Sequence, residues 1–236
     1  MPVQPRRAAR SADSSETVRL SGVGFGYGPA HRALRDVNLT LPSGSFHFLT
    51  GPSGTGKSTL LKLLTLAERP ASGTLRLFGE DVTMAPRRDL PVFRRRMGVV
   101  FQDFRLLDHL TAFDNVALPL RLAGGRAADY AGDVAEMLDW VGLGDRAQDR
   151  PPSLSGGEKQ RLAIARAVVA GPDLILADEP TGSVDAAMAD RLLKLFQSLN
   201  RLGATVLIAS HDVALATRSG AAVLRLEGGR LSGGDA

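Results

Sequence analysis

Apolar and polar positions alternate in short runs from residue 17 to 49, with Val18 and Leu20 in one run and Val37, Leu39 and Leu41 in another. Tyr27-Gly28-Pro29 and Pro42-Ser43-Gly44 punctuate them, so this stretch predicts antiparallel strands joined by turns. Phe46–Leu49 predicts a buried strand running straight into a glycine-rich loop, and Leu60, Leu61, Leu63, Leu64 and Ala67 then recur at helical spacing. Short strands are expected at Thr74–Phe78 and Gly98–Phe101. Between 103 and 152 the pattern turns helical: Val116, Leu118, Leu120 and Leu122, then Val134, Met137, Leu138 and Val141, separated by Gly124-Gly125 and ended by Pro151-Pro152. Beyond it a helix over 157–170, a strand over 174–177, a helix over 186–202 and a strand over 204–209 alternate. Strands separated by helices predict a parallel sheet with helices on its faces.

The chain has 236 residues, 44% of them hydrophobic, which suffices for one large α/β domain carrying an inserted subdomain. There is no cysteine, which excludes a disulfide scaffold and cysteine-ligated zinc. The net charge of +4 comes from nearly balanced acids and bases and gives no reason to expect a nucleic-acid partner. No apolar run reaches the ~18–20 residues that span a bilayer. Residues 1–16 carry Arg6, Arg7 and Arg10 without an apolar segment; they read as a disordered tail rather than a secretory signal, with a lipid-binding arm as the alternative.

Gly51-Pro52-Ser53-Gly54-Thr55-Gly56-Lys57-Ser58 matches G-x-x-x-x-G-K-[ST] in full, between a predicted strand and a predicted helix, with Thr59 next in line. Glycines let successive N–H groups turn inward around phosphate oxygens, and the helix adds its positive end. Lys57 is expected to reach the β- and γ-phosphates and Ser58 to ligate Mg²⁺. The apolar run Leu174–Ala177 ends in Asp178 and Glu179, two carboxylates at the end of a parallel strand. Asp178 suits the metal, and Glu179 suits orienting and polarising an attacking water. A third segment, Leu154-Ser155-Gly156-Gly157-Glu158-Lys159-Gln160-Arg161, opens a helix with a serine and two glycines. Ser155 and Glu158 have the spacing of a capping box, and the same N–H groups can receive an anion.

That third segment, just upstream of Asp178, resembles the signature motif of ATP-binding cassette ATPases, and the resemblance extends over residues 17–232. It implies a P-loop NTPase (RecA-like) α/β core with an antiparallel β subdomain and a helical subdomain inserted at 103–152. It also implies MgATP hydrolysis in a head-to-tail homodimer, where Ser155, Gly156, Gly157 and Glu158 of one copy face the ATP on the other copy's loop. By the same resemblance, Tyr27 stacks on adenine and Gln102 links Mg²⁺ to the helical subdomain and a membrane partner. Asp185 belongs to the interfacial loop, and His211 touches the γ-phosphate. Ser183-Val184-Asp185 departs from the usual Ala-Leu-Asp or Asn-Leu-Asp of that loop.

The stretch Phe93–Leu107, the segment Asn115–Leu120 and the lead-in Phe48-Leu49-Thr50 are similar to the FtsE group of bacterial cell-division cassettes. That likeness implies an FtsX-like integral membrane partner, a peripheral position at the cytoplasmic face of the inner (plasma) membrane, and control of septal peptidoglycan hydrolysis. Lipoprotein-releasing and macrolide-type transporter ATPases share much of this sequence and stay open as alternatives. A DNA-repair cassette is a distant one: Lys57 and Ser155 lie 98 residues apart, without sustained heptads between them. Phe104, Leu106 and Leu107 either pack the insert or line a groove for a helix of the membrane partner. Arg94–Arg96 reads as a solvated helix face, with contact to anionic head groups as the alternative.

Overall fold

A computed structural model describes residues 15–28 and 31–233. The expected tail therefore lies outside the described residues as far as position 14, and Glu16 is already the first residue of a strand. Two long strands, β1 (Glu16–Gly28) and β2 (His31–Pro42), pair antiparallel; β3 (Phe46–Thr50) leads into the glycine loop and α1 (Lys57–Leu64) leaves it. Then come β4 (Ser72–Leu77), β5 (Glu80–Asp81), α2 (Leu90–Arg94) and β6 (Met97–Val100). The helical stretch holds α3 (Ala112–Leu122) and α4 (Ala127–Trp140), followed by short 3₁₀ turns and α5 (Gly156–Val168). The chain ends through β7 (Leu174–Asp178), α6 (Ala186–Arg201), β8 (Thr205–Ala209), α7 (Val213–Ser219), β9 (Ala222–Glu227) and β10 (Arg230–Ser232).

Two sheets result. One is antiparallel in the order β2-β1-β4-β5; the other runs β10-β9-β3-β8-β7-β6 and is parallel from β9 through β6. The period-2 alternation of its central strands divides the interior into two cores. Phe48, Ile175, Ala177, Val206 and Ile208 join the residues of α3 to α6, while Leu49, Leu174, Leu176, Leu207 and Ala209 join α1 and the antiparallel sheet. Among the described residues the helical stretch has no separate core: Val116, Tyr130, Val134 and Leu138 belong to the same cluster as the sheet residues.

Arg94 and Arg95 are exposed and Arg96 is half-buried, so the arginine run is largely the solvated face expected, but two of its members also make long-range contacts. Arg94 donates to the carbonyls of Thr65 (3.3 Å) and Leu66 (2.8 Å), at the end of α1. Arg96 pairs with Asp173 at 2.8 Å and lies 3.8 Å over the Phe78 ring. These contacts come from elements distant in sequence, which a local pattern does not reveal. They tie the segment before β6 to α1 and to the strand entry of β7.

His47 alternates to the Leu49 side of β3, is buried, and its Nδ1 has no partner among the described residues. Burial lowers its pKa below the ordinary 6.5. With a depressed folded pKa the ring is neutral in both states only well above the ordinary 6.5, and the unfolded chain takes up the proton first as pH falls. Stability is thus lost on acidification. Urea unfolding between about pH 7.5 and about pH 5.5 should show a steeper loss for the parent than for His47→Phe; equal slopes would exclude this contribution.

Candidate nucleotide site

Strands β3, β8, β7 and β6 lie side by side and parallel, so the loops leaving them meet at one edge. The loop after β3 needs its glycines. Gly51 has φ 149°, and a Cβ there would stand 2.2 Å from the Leu226 carbonyl; Gly56 has φ 108°, with 2.7 Å to the Ala33 carbonyl. Lys57 opens α1 and is nearly buried, its ammonium donating to the carbonyls of Gly51 (2.7 Å) and Pro52 (3.0 Å). The Thr55 hydroxyl donates to Pro52 O at 2.9 Å and closes the loop.

After β7, Asp178 is held above the usual carboxylate range by burial, against the Ser58 hydroxyl bonded to it; the neighbouring Glu179 charge pushes the same way as burial. Glu179 takes a left-handed backbone (φ 49°), a conformation that costs a non-glycine residue about 1–3 kcal/mol. Surrounding bonds hold it there. Its N–H donates to Ala209 O at 2.9 Å, and its Oε1 accepts from the His211 N–H at 3.0 Å and lies 2.9 Å from His211 Nδ1. Its Oε2 lies 3.3 Å from the Ser210 hydroxyl. Two loops thus aim one carboxylate.

Together these groups wall an open cleft of about 510 Å³. Of the residues singled out in the sequence, Tyr27, Ser53, Gly54, Gly56, Lys57, Ser58, Thr59, Gln102, Asp178, Glu179, Ser183 and His211 line it. Tyr27 is about half exposed, its hydroxyl 3.4 Å from Thr59 Oγ1 and accepting from Lys62 Nζ at 3.3 Å. Gly51, Pro52 and Thr55 of the same loop do not line the cleft. Ser155, Gly156, Gly157, Glu158 and Asp185 do not line the cleft. Asp185 caps α6, its carboxylate accepting from Met188 N at 2.8 Å.

Ser155 begins α5 with a complete capping box: its hydroxyl accepts from Glu158 N at 3.3 Å, and its N–H donates to Glu158 Oε2 at 2.8 Å. The Ser155 N–H is the main cause that keeps the Glu158 carboxyl below its usual range. Arg146, paired with Asp149, also reaches Glu158 at 3.5 Å. The cap remains at the surface with the first turn of α5 open, and a Cβ on Gly157 would lie 3.2 Å from Ser183 O.

These features agree with comparisons of sequence and fold. The ABC transporter family model matches residues 34–182. The chain belongs to the ABC (ATP-binding cassette) family. The cell division ATP-binding protein FtsE of Escherichia coli K12 is 46% identical over 217 residues, covering 92% of this chain and 98% of the relative. FtsE of Mycobacterium tuberculosis is 45% identical over 202 residues, covering 86% and 88%. Among solved structures, the dimeric cassette MJ0796 superposes with a TM-score of 0.86 at 34% identity, covering 91% of this chain and 96% of that one. A post-hydrolysis form of MJ0796 bound to ADP and Pi gives 0.86 at 33%, covering 92% and 98%. The cassette accordingly has the P-loop NTPase fold of the family and is an ATPase.

Three things escaped the sequence. Ala33 and Gly182 complete the cleft wall, and Gln160 reaches it from α5. The signal for Gln160 was available: with Ile164 and Val168 it falls at four-residue spacing on the buried stripe, where an amide is out of place. Asn115, fully buried, pins the approach to α3, its amide bonding Leu107 N (2.9 Å), Leu107 O (3.1 Å), Leu110 O (3.3 Å) and Thr111 O (3.0 Å). Arg166 of α5 donates to the carbonyls of Phe104 (2.8 Å) and Arg105 (2.7 Å), which both have left-handed backbones in the turn after Gln102. Burial lowers the Arg166 pKa, yet the two bonds hold its guanidinium. Leu106 packs on the larger core.

Replacing Arg166 by Met should cost about 1–3 kcal/mol of stability by unmaking those bonds. Urea unfolding measures the loss, and hydrogen exchange should show amides 103–107 opening first. Unchanged exchange there would mean the turn holds without it.

Proposed function

We propose that this cassette is the ATP-hydrolysing subunit of a membrane complex of the FtsE type. It would work with an FtsX-like integral membrane protein in bacterial cell division, at the cytoplasmic face of the inner membrane. The reading of the site rests on one observation: Lys57, Ser58, Asp178, Glu179 and His211 converge in one cleft, while the exposed Ser155 cap is not part of its lining. A cap with open N–H groups outside its own cleft suits an anion held by a second copy. Two copies head to tail then enclose two ATP, as the dimeric MJ0796 cassette supports. The likeness to FtsE supports the cell-division role.

In this reading the loop N–H groups and Lys57 bind the β- and γ-phosphates, and Tyr27 stacks on adenine. The hard oxygen donors of Ser58, Gln102 and Asp178 fit Mg²⁺, which prefers a few protein oxygens together with phosphates and water. When bound, that ion neutralises phosphate charge. Glu179, aimed by His211 and Ser210, orients a water and accepts its proton as the water oxygen bonds to the γ-phosphorus. The bond from γ-phosphorus to the ADP oxygen breaks, and ADP leaves with the electron pair. Ser155 and the first N–H groups of the partner's α5 face the developing charge. The rate comes chiefly from positioning and charge stabilisation.

Lys57→Ala should abolish ATPase activity and weaken nucleotide binding; parental turnover would refute the phosphate-loop assignment. Glu179→Gln should keep MgATP and accumulate as a dimer on size-exclusion chromatography, whereas parental hydrolysis would remove Glu179 from its role. Ser155→Arg should be inactive yet still bind ATP, and mixing it with Lys57→Ala should restore at most one composite site. Isolation of the membrane-bound complex identifies the partner. An FtsX-like protein supports the cell-division reading, and a lipoprotein-releasing or macrolide-export subunit replaces it with a transporter.

A further inference from the structure

Helix α5 also buries an amide whose nitrogen is unpaired among the described residues. Gln160 is only 1% exposed, and its Nε2 has no hydrogen-bond partner among them. The same residue lines the cleft with Lys57, Ser58, Gln102, Asp178, Glu179 and His211. The helix positions at four-residue spacing beyond it, Ile164 and Val168, are buried and apolar, so the stripe itself makes no use of an amide. A buried donor left unmade is costly, and an apolar side chain of the same length would remove that cost. At the wall of a cleft shaped for phosphates, a free N–H is complementary to an oxygen acceptor.

We propose that Gln160 donates from Nε2 to an oxygen at the terminal-phosphate end of the nucleotide in its own chain's cleft. This rests on the reading of that cleft as the ATP site. The acceptor is a γ-phosphate oxygen or the water held against it. Ser155 stands five residues earlier, which on a helix is an axial rise of about 7.5 Å. A single short rod then touches two nucleotides: the partner's through the Ser155 cap, its own through Gln160. Displacement of α5 at one ATP is transmitted to the other without any loop in between, because Leu162, Ile164 and Ala165 bury the rod in the larger core. Gln160 thereby couples the two sites as well as serving one of them.

The test is Gln160→Met, which keeps length and apolar packing and deletes the donor, measured in the full chain with Gln160→Glu beside it. The expected result is a kcat lower by about 10- to 100-fold with a melting temperature no lower than the parent's, and a Hill coefficient for ATP nearer one. A γ-phosphate acceptor adds weaker ATP binding with ADP binding unchanged, while a water acceptor leaves both affinities as they were. Gln160→Glu, which places a carboxylate where the donor was, should be at least as impaired. Parental kcat and Hill coefficient in Gln160→Met overturn the proposal, and so does a kcat that falls only in step with a lowered melting temperature. If the parent itself fails to hydrolyse ATP, or Lys57→Ala matches it, the ATP-site reading fails instead.

Discussion

Parallel pairing in the order β3-β8-β7-β6 is the constraint from which the cleft follows. Backbone hydrogen bonds put Ala209 opposite both Leu49 and Asp178, and Ala177 opposite Val100. The loops that begin after these residues therefore start at one level of the sheet. Lys57, Glu179, His211 and Gln102 come from four separate places in the chain and meet because of that register. A slip of one residue in β7 would turn Ala177 out of its core and take Asp178 away from Ser58.

Strain and satisfaction are balanced locally around this edge. Glu179 occupies a left-handed backbone, and its N–H and both carboxylate oxygens are held by the segment Ala209–His211. Phe104 and Arg105 occupy the same region of backbone space, and Arg166 holds both of their carbonyls. In each case a left-handed turn beside the cleft is held by bonds from another element. Rigid placement suits a reaction whose barrier is lowered by position and charge.

How much of this the sequence revealed depended on the range of the interaction. The glycine loop was legible because its constraint is local: only glycine fits at 51 and 56. The Ser155–Glu158 box was legible for the same reason, being three residues long. Strand and helix periods located α5, α6, β7 and β8 to within two residues or so. What remained hidden was long-range. Arg94 and Arg96 looked like surface charge until α1, Phe78 and Asp173 came beside them. Helix α2 is only five residues long, and β9 and the edge strand β10 carry few buried residues, so they left little periodic signal. Gln160 stood in plain sight within a motif, but its burial beside the cleft is a tertiary fact.

The core shared between the insert and the sheet bears on how such proteins diversify. Tyr130, Val134 and Leu138 interlock with Ile175 and Val206 in one cluster, so residues 103–152 are not a detachable module. A chimera that exchanges this segment for a homologous one inherits mismatched shapes along the whole seam unless the facing positions of α5 and α6 travel with it. Recombination that keeps the glycine loop, Asp178 and Glu179 but cuts at 103 and 152 would leave those cleft residues in place and still yield a poorly packed molecule. The unit that can be exchanged intact is accordingly this helical stretch together with α5 and α6.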